Sequence, residues 1–169
     1  IRAAGADVRY SCFTFEVDWK HLRGVEEEVP TPPEITAEFM DRLLGCGLDW
    51  AVRSLSYYYT TMNGIRLVYF LSRDIPVDTG EHLLKHLARQ LTSVGIPVDP
   101  RCLDWTRIFR LPRVMRADGK VGGVSTAQVP ADESWPCLDD GQVGLLDPIA
   151  IAGAGILLAA PPPPPGVAA

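Results

Sequence analysis

Apolar and polar residues alternate from Arg9 to Trp19, with Phe13, Phe15, Val17 and Trp19 on one side and Cys12, Thr14, Glu16 and Asp18 on the other. A period of two is that of a half-buried β-strand, so Glu16 and Asp18 project from the same face. The period then changes. Thr31-Pro32-Pro33-Glu34 has the form of a capping box with proline in the first turn, and Ile35, Phe39, Met40, Leu43 and Leu44 follow as a helical stripe. Gly45 or Gly47 ends that helix.

Residues Ala51–Thr60 and Ile65–Ser72 are rich in Tyr, Val, Leu and Phe and flank Met62-Asn63-Gly64, which predicts an antiparallel hairpin. Asp78, with Glu81 three residues on, predicts the cap of a second helix. Its stripe is Leu83, Leu84, Leu87, Leu91 and Val94, and Gly95 lies just past its end. Short strands are expected at Ile96–Val98 and at Arg107–Leu111, the latter stopped by Pro112. The order strand, helix, hairpin, helix, strand, strand predicts an α+β fold with a mainly antiparallel sheet and packed helices.

Composition adds a boundary. The 169 residues are 47% hydrophobic, enough for one domain with a core, but Gly and Pro become frequent after Lys120 and five prolines run from Pro161 to Pro165. The reading is a domain over 1–119 and a largely disordered, acidic linker or tail over 120–169, with polyproline II at Pro161–Pro165. The net charge of −5 excludes a global basic field, so any nucleic-acid site must be a local patch. Cys12, Cys46, Cys102 and Cys137 form no CxxC pair and are expected to be reduced. The apolar run Ile149–Ala160 is shorter than the ~20 residues of a bilayer span, so no membrane segment is predicted and the expected location is cytoplasmic.

Two clusters carry candidate chemistry. Glu16 and Asp18 repeat along one strand face; two bare carboxylates brought within about 4 Å would repel by roughly 4 kcal/mol at an effective dielectric near 20. A divalent cation removes that penalty, and magnesium typically takes one or two carboxylates plus substrate phosphates. Arg101, Arg107, Arg110, Arg113 and Arg116 surround the lone acid Asp104 and give residues 101–116 a local charge of +4, suited to phosphate. His82 and His86 have a chelating spacing without a third ligand, and His21 follows the acidic strand; both read as surface groups. GxSxG, GxxxxGK[ST] and a strand-borne GxGxxG are absent.

In order along the chain, these residues resemble the catalytic core of the archaeo-eukaryotic primase superfamily, the primase-polymerases of phage, plasmid and cellular replication proteins. The resemblance lies in the acidic pair of Phe13-Thr14-Phe15-Glu16-Val17-Asp18-Trp19, in the turn and strand Asn63-Gly64-Ile65-Arg66-Leu67-Val68-Tyr69-Phe70, and in Val98-Asp99 followed by Arg107-Ile108-Phe109-Arg110-Leu111. It spans about residues 9–116 and implies an RRM-like core that is short at its amino end.

The same resemblance implies Glu16, Asp18 and Asp99 as catalytic ligands of two Mg2+ or Mn2+ ions, with Asp104 competing for the third place. It further implies Arg66, Arg107 and Arg110 as nucleotide-binding residues. Arg66 stands where the second motif usually has histidine and is a fixed cation there. The implied function is a metal-dependent DNA primase/polymerase acting on nucleoside triphosphates and a single-stranded nucleic acid template, with a replicative helicase domain as a further partner. The alternative is a non-catalytic single-strand-binding module or a degenerate fragment of a replication initiator.

Overall fold

The computed structural model describes residues 7–18, 32–61, 64–104, 106 and 144–153. Their elements are β1 (Arg9–Asp18), α1 (Pro32–Gly45), α2 (Asp49–Arg53), β2 (Tyr57–Thr61), β3 (Gly64–Pro76), α3 (Val77–Ser93), a 3-10 turn at Pro100–Cys102, β4 (Leu145–Leu146) and α4 (Pro148–Gly153). The fold is α+β, as expected. β3 is central, antiparallel to β1 on one side and to β2 on the other, and its far half pairs in parallel with β4.

Register explains the core. Phe13 faces Tyr69, Phe15 faces Leu67 and Val17 faces Ile65 across β1 and β3, and none of the six is accessible to solvent. Phe39 and Leu43 of α1 and Leu83, Leu87 and Leu91 of α3 join the same apolar cluster. Burying side chains of this size contributes about 1.5–3 kcal/mol each, which makes this face the source of the fold's stability. Tyr69 is tolerated there because its hydroxyl donates to the Ala51 carbonyl at 2.8 Å and Phe15 meets its ring edge-on.

Several expectations are corrected. Residues Asp49–Arg53 are helical where a strand from Ala51 was predicted: Asp49 complements the helix amino end, Arg53 pairs with it one turn on at 2.6 Å, and Trp50 Nε1 donates to Gln90 Oε1 of α3. β2 therefore starts only at Tyr57. α3 begins at Val77 with Pro76 as its cap and no side-chain capping bond, so Asp78 lies inside the first turn. The reason is that β3 runs straight into α3, and Val77 N–H is taken by the Val8 carbonyl. Leu44 of the α1 stripe is 54% exposed, one position too far around the helix from Leu43.

Residues 96–98 form no strand. Ile96 and Val98 are buried, but Pro97 has no N–H to donate to a ladder. The segment instead leads to a backbone bond with β1, in which Asp99 N–H donates to the Glu16 carbonyl at 2.8 Å. The expected strand Arg107–Leu111, the capping residue Thr31 and His21 lie outside the described residues.

Part of the stretch expected to be linker or tail folds back onto the sheet. Leu146 is fully buried, and Ser56 Oγ both donates to the Gly144 carbonyl and accepts from Phe70 N–H. A Cβ on Gly144 would lie 2.7 Å from the Leu55 carbonyl oxygen, so only glycine permits this approach. Among the described residues no helix is long and apolar enough to cross a membrane.

Candidate active site

The face of the sheet opposite the apolar one carries the other half of each alternating strand. Thr14 faces Val68, Glu16 faces Arg66 and Asp18 faces Gly64 across β1 and β3, while Tyr59 of β2 faces Arg66 from the far side. Gly64 is needed here, since a Cβ would stand 2.1 Å from the Val17 carbonyl oxygen. Its lack of a side chain lets the hairpin close against the end of β1 that bears Asp18.

Glu16 and Arg66 form the first ion pair. Arg66 Nη2 lies 3.0 and 3.1 Å from the two Glu16 carboxylate oxygens, and Nη1 donates to Tyr59 Oη at 3.2 Å. Both side chains are largely buried, with 11% and 14% of their surface exposed, and the guanidinium lies 5.6 Å from the Tyr59 ring centre. Burial alone would make Arg66 a weaker base; its hydrogen bonds to Glu16 and Tyr59 outweigh that and hold it above the ordinary arginine range.

Asp99 enters from the other end of the chain. Its backbone bond to Glu16 sets it beside β1, and its side chain is only 6% exposed. Asp99 caps the short turn that follows, accepting from Arg101 N–H on Oδ1, while Arg101 Nε and Nη2 reach Oδ1 and Oδ2 at 3.0 Å. The Cys102 thiol completes the link: Sγ lies 3.3 Å from Glu16 Oε2 and 3.8 Å from Asp99 Oδ2, one thiol between two carboxylates. Arg101 is held above its ordinary basicity by its hydrogen bonds to Asp99, then by the Asp99 charge, with Asp18 adding to the same field.

The structure therefore brings Glu16, Arg66 and Asp99 together, with Asp18 at the end of the same strand face as Glu16 and within the field felt by Arg101. Asp104 is exposed and accepts from Thr106 N–H in a local turn. Arg107 and Arg110, with Arg113 and Arg116, lie outside the described residues. His82 is exposed and His86 Nε2 contacts Gln90 Nε2, which places His86 in a polar chain leading to Trp50.

Cys12, Cys46 and Cys102 form no disulfide. Sequence reasoning counts Arg101 only within the basic stretch and gives Cys102 and Tyr59 no role. The signal for Arg101 is local, since Asp-Pro-Arg is a turn in which the first side chain accepts from the third residue. The Cys102 and Tyr59 contacts depend on long-range register and leave no such trace.

The donor set is hard oxygen, which suits Mg2+ or Mn2+. Three carboxylates against two guanidiniums leave the cluster net negative. Among the described residues no group of three or more His, Cys, Asp and Glu side chains is arranged to hold a metal ion, and arginines pair with the carboxylates of Glu16 and Asp99. Comparison of the chain with protein-family models, with curated proteins and with solved structures returns no match, so a functional reading rests on this chain's own residues.

Proposed function

We propose that this chain is a metal-dependent nucleotidyltransferase core of the primase-polymerase type, with an RRM-like arrangement of its sheet and helices. The single observation that supports the reading is the juxtaposition of Asp99 with the Glu16 end of β1, made by the Asp99 N–H bond to the Glu16 carbonyl. Residues far apart in sequence thereby meet, and the Cys102 thiol touches the carboxylates of both Glu16 and Asp99. Glu16, Asp18 and Asp99 would hold the ions. The chemistry that Mg2+ or Mn2+ would supply there is activation of a 3′-hydroxyl and stabilisation of departing pyrophosphate.

The protein's own part is positioning and charge. The rigid β1–β3 pair fixes Glu16 and Asp18 in register, and the buried contact with the Asp99 turn keeps the third carboxylate from drifting. Arg66 stays beside Glu16 as a permanent cation, limiting the repulsion among the acids before any nucleotide arrives. Arg107 and Arg110 would meet the triphosphate or the template. A second reading, a non-catalytic single-strand-binding module, is favoured by the internal neutralisation of Glu16 by Arg66 and Asp99 by Arg101.

Incubation with a single-stranded template, labelled nucleotides and Mg2+ or Mn2+, with and without primer, separates the two. The enzyme reading expects metal-dependent product from the wild type and at least a hundredfold less from Asp18→Asn. Salt-sensitive strand binding without product in either protein favours the binding module instead.

A further inference from the structure

We draw no further inference here: the strongest candidate, the surface patch on the sheet where the Tyr57 ring meets the exposed Phe70 beside the exposed Leu145 of β4, carries nothing because nothing in the structure shows what covers it.

Discussion

The two faces of one sheet differ in what they carry. On one face Phe13, Phe15, Val17, Ile65, Leu67 and Tyr69 are sealed under α1 and α3; on the other, the residues between them include Glu16, Asp18 and Arg66, tied to Asp99 and Arg101. The same strands supply both sets, because successive side chains alternate. The apolar core and the charged cluster are thus separated by a single residue step, and neighbouring substitutions should have different consequences.

The sharpest break in this comparison comes from the apolar face. Phe15→Ala should destabilise the fold by about 3–5 kcal/mol, through lost transfer free energy and a cavity under α1 and α3, read as a lower midpoint in urea. Next comes the ion pair that ties the polar face together. Arg66→Met leaves the Glu16 carboxylate largely buried without its cation and should cost about 2–3 kcal/mol, less than the 3–5 of a fully enclosed pair. Both losses are seen by the same unfolding curve, so a larger effect from Arg66→Met than from Phe15→Ala would reverse the ranking of the faces.

A smaller effect comes from pH. Burial raises the Cys12 thiol and the Tyr57 and Tyr58 phenols above their ordinary values, with the Tyr59 and Cys12 charges adding to the rise at Tyr57. The folded chain therefore keeps these protons to higher pH than the unfolded chain. Stability should be intact below about pH 9 and fall as the pH passes the unfolded values of about 8.5–9 for a thiol and 10 for a phenol. Urea midpoints that stay level from pH 8 to pH 11 would contradict that sign.

What could be read from sequence follows from the range of the forces involved. The alternation in β1, the α3 stripe and the Asn63-Gly64 hairpin are local patterns, and the structure has β1, α3 and a β2–β3 pair, with β2 shortened to Tyr57–Thr61 and α3 begun at Val77. The helix at Asp49–Arg53 was missed although Asp49 and Arg53 are a local helical pair; its Trp50 bond to Gln90 is the part that spans the fold. The return of Gly144–Gly153 to β3 was hidden because its anchor is Ser56, far away in the chain. At the site, Glu16 and Asp18 could be paired by period alone. The place of Asp99 beside them follows from one backbone bond that no spacing encodes.

The most direct test of the account joins function and folding on one preparation: template-dependent nucleotide incorporation with Mg2+ or Mn2+ and the thermal unfolding midpoint, for wild type and Asp18→Asn. The account predicts product from the wild type alone and closely similar midpoints, because Asp18 lies on the polar face and outside the apolar core. Equal incorporation by the two proteins, or loss of product together with loss of folding, would contradict the division of the sheet into a face that stabilises and a face that reacts.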